Sequence, residues 1–132
     1  MLLSENKNYF ITTFWPFMIL IPFLGAGRRV TVYLSIVSQT ALEAIKELKK
    51  QGYSVFSVEQ VEHSTKLHTF EPQKGQKYAV MMGNEVKGVH QEVVDASDGS
   101  LEIPQLGTKH SMNVSVTTGI VIYKFAESLI IP

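Results

Sequence analysis

The sequence contains no cysteine among its 132 residues, and this absence excludes several kinds of site. Disulfide bonds, zinc sites built on thiolates and cysteine nucleophiles all require a sulfur atom that the chain lacks. Because a protein without disulfides suits a reducing compartment, we predict a cytoplasmic location.

The sequence also lacks an excess of charge of either sign, since its 12 basic and 12 acidic side chains cancel. A neutral protein has no overall field that would attract nucleic acid, although a local patch can still bind phosphates. Walker, GxSxG and HExxH motifs are missing, and the 4 histidines are not spaced like metal ligands. We therefore predict no metal site.

Charge is almost missing from residues 9–25 as well. A membrane-spanning helix needs roughly 20 apolar residues, and this run is shorter and carries Pro16 and Pro22. A signal peptide needs a basic start, whereas Glu5 and Lys7 cancel. We favour a buried strand or irregular core, which makes a membrane role unlikely. A membrane or signal segment and a segment that does not fold stay as alternatives.

The first clear element is a helix over residues 40–52. Thr40 at the N-cap and Glu43 three residues later have the form of a capping box. Apolar residues then recur at helical spacing, lysines fill the last turn, and Gly52 follows where helices usually end.

An alternation of strands and helices continues to the C-terminus. It comprises strands at 53–58, 78–82 and 101–103, a long surface connection at 59–77, a short helix at 89–96 burying Val89, Val93 and Val94, and a turn at Asp98-Gly99. This order predicts an α/β fold with a mostly parallel sheet and helices on both faces.

The C-terminal segment 114–131 is ambiguous, because its Val, Thr and Ile content favours a strand while its length favours a helix. Ser111 is a plausible N-cap, and we predict a helix.

Two unusual loops follow predicted strands, GNEVKG at 83–88 and PQLGTKHSMN at 104–113. Ligands of parallel sheets bind at the carboxyl ends of strands, so these loops form a candidate binding site. Purely structural roles stay open: Glu85 can cap a neighbouring helix, and Ser111 and Asn113 can satisfy N–H groups at a helix start.

Together the two loops resemble the SpoU/TrmH family of the SPOUT superfamily. The family's glycine-Glu-Gly motif matches Gly83, Glu85 and Gly88. Its Ile-Pro-x-x-Gly and Ser-x-Asn-Val-Ser motif matches the residues Ile103, Pro104, Gly107, Ser111, Asn113, Val114 and Ser115. The resemblance covers about residues 40–132.

This resemblance implies an S-adenosylmethionine-dependent methyltransferase that acts on the ribose 2′-hydroxyl of tRNA or rRNA. It also implies a C-terminal trefoil knot, which is an exception to the rule against threaded chains, and a homodimer formed through the terminal helix, here 114–129. The methyl donor would lie between the two loops. The implied cofactor-binding residues are Gly83, Glu85, Gly88, Ile103, Leu106, Ser111, Met112 and Asn113.

The chain departs from the family in residues 1–39, which are apolar and show no family match. The first family motif, an Asn-rich turn followed by a catalytic arginine, is not recognisable there. The arginines of this chain, Arg28 and Arg29, are the remaining candidates, with Asn113 in a supporting role, and the catalytic residue stays unassigned. We expect an N-terminal half that is truncated or replaced. The alternative function is an inactive module that binds the cofactor or RNA.

Overall fold

The computed structural model describes residues 13–14, 17–20, 30–34, 38–83, 87–107, 112–129 and 131, with side chains from residue 41 onward.

The described strands form a seven-stranded sheet in the order β1-β2-β3-β6-β4-β7-β5. The strands are β1 (Thr13–Phe14), β2 (Phe17–Leu20), β3 (Val30–Leu34), β4 (Tyr53–Val58), β5 (Thr65–Lys66), β6 (Lys77–Met82) and β7 (Gly99–Glu102). Neighbours from β3 to β5 pair in parallel, whereas β1 and β2 pair antiparallel at one edge. The predicted α/β fold with a mostly parallel sheet is confirmed.

The apolar N-terminal run contributes to this sheet. Met18 of β2 pairs with Leu34 of β3, and Phe17 pairs with Phe14 across the β1–β2 hairpin. The preference for a strand in residues 9–25 is confirmed for these positions. No helix in the described part of the chain is long and apolar enough to span a membrane.

Helix α1 (Ser38–Lys50) begins two residues before Thr40, the residue that the capping box predicts as the N-cap. Thr40 therefore lies inside the first turn, and its prediction as the N-cap is wrong. The reason is that Ser38 and Gln39 already adopt helical backbone, a shift of the size by which helix ends commonly vary. The predicted C-terminal end is confirmed, because Gly52 follows the helix with φ of +83°.

Helices cover both faces of the sheet, and the side chains of β6 show why. Tyr78 and Val80 are buried on the face packed by α3 (Val114–Leu129), against Phe125. Ala79 and Met81 are buried on the other face, against Ile45 of α1. A strand buried on both faces has no polar alternation, and this explains the continuous apolar run YAVMM.

The predicted surface connection at 59–77 contains more structure than its polar sequence indicates. It includes β5 and a 3₁₀ turn at Leu67–Thr69. Leu67 is 4% exposed, and the Phe70 ring lies 5.7 Å from that of Phe125. The prediction of a connection that lies wholly on the surface is wrong, because two isolated apolar side chains anchor it to the core without forming any period.

The elements around the second loop differ slightly from their predicted bounds. Helix α2 spans Gln91–Ala96 and buries Val93, whereas Val89 and Val94 are half-buried. β7 begins at Gly99, a residue that we predicted in a turn. Backbone and carboxylate hydrogen bonds between Asp98 and Val55, both of 2.7 Å, draw this stretch onto β4 and extend the strand.

Helix α3 confirms the helical prediction for the ambiguous C-terminal segment. Its N-cap is Asn113, whose Oδ1 accepts a hydrogen bond of 2.8 Å from the Ser115 N–H. The predicted cap at Ser111 is therefore wrong, because the helix begins at Val114 and Ser111 lies too far upstream. The capping role that we considered for Asn113 is confirmed.

Candidate binding site

A cavity of about 520 Å³ opens at the carboxyl edge of the sheet, which is a typical size for a small-molecule site. Its wall comes from the ends of β4, β6 and β7, the loops that follow them and the first turn of α3. The lining residues are Val58, Glu59, Gln60, Val61, Met82, Gly83, Lys87, Gly88, Val89, Gln91, Leu101, Glu102, Ile103, Gln105, Met112, Val114 and Thr117.

The two glycines of the first loop are required by the backbone geometry. A Cβ atom at Gly83 would overlap the carbonyl group of Gly88, so the two ends of the loop touch. Gly88 also has φ of +67°, in the left-handed region that side chains disfavour. The loop can close beside the cavity only because both positions carry glycine.

Glu59 follows β4 and joins it to β7 and to the segment before α2 at this edge. Its carboxylate accepts hydrogen bonds from the backbone N–H of Val89, at 2.8 Å, and of Gln60, at 2.9 Å. Its own N–H donates to the carbonyl of Leu101 at 3.1 Å. Sequence reasoning missed Glu59. Its position directly after β4, at the carboxyl end of a predicted parallel strand, was the available signal.

Glu102 is a second acidic residue of the cavity wall that sequence reasoning missed. Its side chain is 7% exposed and lies 2.6 Å from the Lys66 ammonium. It also accepts a hydrogen bond from the Ser64 hydroxyl. Bonding to Lys66, followed by the bond to Ser64, lowers the pKa of Glu102 even though burial acts to raise it. The carboxylate is therefore held in its charged form at neutral pH.

The structure brings several predicted site residues together. Gly83, Gly88, Ile103 and Met112 all line the cavity, although they come from separate parts of the chain. Leu106 does not line it and is fully exposed, at 102%. Asn113 lies beside the lining residue Met112 and caps α3. The remaining predicted residues, Glu85, Ser111, Arg28 and Arg29, lie outside the described residues.

The basic residues of α1, which could contact phosphates as a local patch, lie away from this cavity. Lys46, Lys49 and Lys50 belong to the last turns of α1, next to the amino end of β4, whereas the cavity lies at its carboxyl end. Lys49 also bonds to the Ala96 carbonyl at 2.7 Å and pairs with Asp98 at 3.3 Å. Lys109 lies outside the described residues. Within the described ranges, no group of acidic and histidine side chains could hold a metal ion.

Fold and cavity together define an α/β protein with a small-molecule site at the carboxyl edge of a parallel sheet. The sequence model of the SpoU rRNA Methylase family matches residues 24–123, which is most of the chain and includes residues 24–39, where we expected no family match. The chain belongs to the SpoU rRNA methylase family, and the predicted family is confirmed.

Curated relatives share this family but are longer. The tRNA (guanosine(18)-2′-O)-methyltransferase of Thermus thermophilus is 32% identical over 100 residues, which are 76% of this chain and 50% of that protein. The Saccharomyces cerevisiae protein of the same name is 32% identical over 94 residues, 67% of this chain and 6% of that protein. The chain thus spans half or less of the length of these relatives.

Solved structures of the family have the same fold. The A. aeolicus TrmH/SpoU tRNA modifying enzyme has a TM-score of 0.59 and 27% identity, covering 67% of this chain and 44% of that chain. The AdoMet-bound rRNA methyltransferase from Sinorhizobium meliloti has a TM-score of 0.60 and 24% identity, covering 67% of this chain and 33% of that chain. The latter likeness concerns the fold alone.

Proposed function

We propose that the cavity binds S-adenosylmethionine and that this chain acts in the methylation of ribose 2′-hydroxyls in RNA. One observation carries the proposal: Gly83, Gly88, Ile103 and Met112, which the family motifs place in the donor site, line a single cavity. Relatives named as tRNA 2′-O-methyltransferases support the RNA substrate. The AdoMet-bound rRNA methyltransferase from Sinorhizobium meliloti, which has the same fold, supports the cofactor.

The chemistry of the cavity wall suits this donor. Val58, Met82 and Ile103 supply an apolar surface for an adenosyl group, and the carboxylate of Glu59 suits the positive charge of the donor's sulfur. We assign donor binding to residues 40–132, because all the lining residues fall in this range. Glu85, Ser111 and Leu106 stay proposed contacts.

Bound S-adenosylmethionine supplies an electrophilic methyl group on a positively charged sulfur. In the proposed reaction a ribose oxygen forms a bond to that methyl carbon while the carbon–sulfur bond breaks, and the hydroxyl proton passes to an acceptor. The protein contributes by holding donor and hydroxyl in line. Among the described residues we assign no proton acceptor. Asn113 has a supporting role, since its Oδ1 fixes the start of α3 beside the cavity.

The position of β3, the strand that follows Arg28 and Arg29 in the sequence, does not favour either residue as the proton acceptor. Val30 comes directly after Arg29 and pairs with Tyr78, at the amino end of β6. The cavity lies at the opposite end of β6, beyond Met82.

The predicted replacement of the N-terminal part stays a prediction, and so does the cytoplasmic location. The coding sequence upstream of residue 40 tests the replacement.

We also propose the trefoil knot of the family for this chain. Its support is that the loops after β6 and β7 line the same cavity and that α3 packs on the sheet directly after them. A crystal structure that traces the chain continuously from residue 83 to 113 tests it. Passage of the second loop through the first supports the knot, and an unthreaded path contradicts it.

We propose further that α3 forms a homodimer. Val116, Ile120 and Tyr123 recur at helical spacing and are 52%, 38% and 60% exposed. An exposed apolar stripe of this kind is typical of an interface between protein chains. A second copy of α3 offers the same stripe, which suits a two-fold contact.

Methyl transfer tests the enzymatic proposal. The full chain is incubated with methyl-labelled S-adenosylmethionine and unmodified tRNA or rRNA, and the RNA is then digested to nucleosides. We expect label in 2′-O-methylated nucleosides, and none with Gly83→Val, whose side chain would overlap the Gly88 carbonyl. Donor binding without transfer to either RNA would contradict the enzyme and support the inactive binding module.

A further inference from the structure

We propose that Glu59 is a positioning residue of the donor site, which fastens the closing end of the 83–88 loop to the end of β4. This inference rests on the proposed function, because it names a residue that shapes the same cavity. Glu59 does not belong to either family motif that predicted the site residues. The inference comes from three sets of contacts.

The first set joins Glu59 to the start of α2. One carboxylate oxygen, Oε2, accepts a hydrogen bond of 2.8 Å from the Val89 N–H. The other, Oε1, accepts one of 2.9 Å from the Gln60 N–H. Hydrogen bonds to an ionised acceptor are stronger than those between neutral groups. The bond from Val89 therefore holds that segment to the end of β4, and the bond from Gln60 fixes the orientation of the carboxylate itself.

The second set joins Glu59 to the sheet. Its N–H donates to the Leu101 carbonyl of β7, at 3.1 Å, and it directly follows Val58, which pairs with Met82 of β6. The residue is therefore fixed on the rigid carboxyl edge of the sheet. Its carboxylate can transmit that rigidity to the loop.

The third contact concerns Gly88. A Cβ atom at this position would overlap Oε2 of Glu59, and the residue also has φ of +67°. Glu59 therefore occupies the space that a side chain at Gly88 would need. The glycine and the carboxylate form one packed unit at the closing end of the loop.

The consequence for binding follows from loop ordering. Without the carboxylate, the Val89 N–H loses its partner and the loop has more freedom in the unbound protein. Donor binding must then order the loop, which weakens affinity. The buried core is formed by other residues, so the fold does not depend on Glu59.

The test compares Glu59→Gln and Glu59→Ala with the control Glu62→Gln. Glu62 lies in the same connection, but its side chain is 90% exposed and its ion-pair partner is His63. Two quantities are measured: amide hydrogen exchange at Val89 without donor, and the Kd of S-adenosylmethionine by calorimetry. Circular dichroism and thermal unfolding verify the fold of each variant.

We expect Glu59→Ala to speed amide exchange at Val89 about tenfold and to raise the Kd of S-adenosylmethionine about tenfold. This is the factor that corresponds to the loss of one charge-assisted hydrogen bond. Glu59→Gln keeps one acceptor oxygen, so a smaller effect is expected. Glu62→Gln should leave both quantities unchanged. A purely structural role would lower thermal stability without changing the Kd at temperatures where every variant is folded.

A double-mutant cycle with Gly88→Ala tests the contact itself. Because the new Cβ would overlap Glu59, Gly88→Ala should raise the Kd by a smaller factor in the Glu59→Ala background than in the wild type. Independent effects that multiply would contradict the inference.

Failure of this inference differs from failure of the proposed function. If the folded wild type binds no S-adenosylmethionine, the proposed function is overturned and the positioning role falls with it. If the wild type binds and both Glu59 variants bind equally well, the positioning role alone is overturned.

Discussion

At the scale of single residues, the glycines of the cavity are easier to predict from the sequence than its carboxylates. Gly83 and Gly88 could be predicted as site residues, since they belong to a motif and their backbone geometry requires them. The contacts of Glu59 and Glu102 could not be predicted, because their partners Val89 and Ser64 lie 30 and 38 residues away along the chain. Contacts of that kind depend on the fold.

Glu102 gives a prediction about pH. Its pKa is lowered in the folded protein by Lys66 and Ser64, so the charged form stabilises the fold at neutral pH. Protonation as the pH falls through and below the ordinary glutamate range, roughly 4.3, removes this contribution. We expect the free energy of unfolding to fall with acid in the wild type and to fall less steeply in Glu102→Gln, measured by urea titration at several pH values. Equal slopes would contradict the stabilising role.

Asn113 gives a prediction about helix capping. Asn113→Ala removes the acceptor of the Ser115 N–H and should lower the free energy of unfolding by about 1 kcal/mol, measured by chemical denaturation. Asn113→Asp keeps a capping oxygen and serves as the control. An unchanged stability in the alanine variant would show that the cap is not needed.

At the scale of elements, α3 shows how packing and capping override propensity. Its β-branched residues favour a strand, yet Thr118, Val121, Phe125 and Leu129 are buried on one helical face. The length of the segment made the helix predictable. The apolar residues that α3 leaves exposed could not be identified from the sequence, because the exposed face is defined only once the buried face is known.

That exposed face leads to a prediction about assembly. Tyr123→Asp places a charge in the stripe and should convert a dimer to a monomer in analytical ultracentrifugation, with unchanged helical content by circular dichroism. Glu127→Gln, exposed on the same helix, is the control. A wild type that is monomeric at all concentrations, or a variant that stays dimeric, would contradict the interface.

At the scale of the whole molecule, the sequence predicted the α/β alternation because each core strand and helix has its own period or apolar run. It predicted the connection at 59–77 poorly, since Leu67 and Phe70 are isolated apolar residues whose burial depends on Phe125. The loops at the carboxyl edge were predicted as a site because parallel strands place their ends together.

The central claim is that this cavity binds S-adenosylmethionine, and calorimetric titration of the folded full chain tests it most directly. Gly83→Ala is the test variant, since its Cβ would overlap Gly88. Gly75→Ala is the control. It also replaces a glycine, which has φ of +88°, but a Cβ at Gly75 meets open space and the residue lies outside the cavity lining. We predict saturable binding of about one donor per chain in the wild type and Gly75→Ala, and strongly weakened binding in Gly83→Ala. No binding by the folded wild type at donor concentrations up to about 1 mM would contradict the claim.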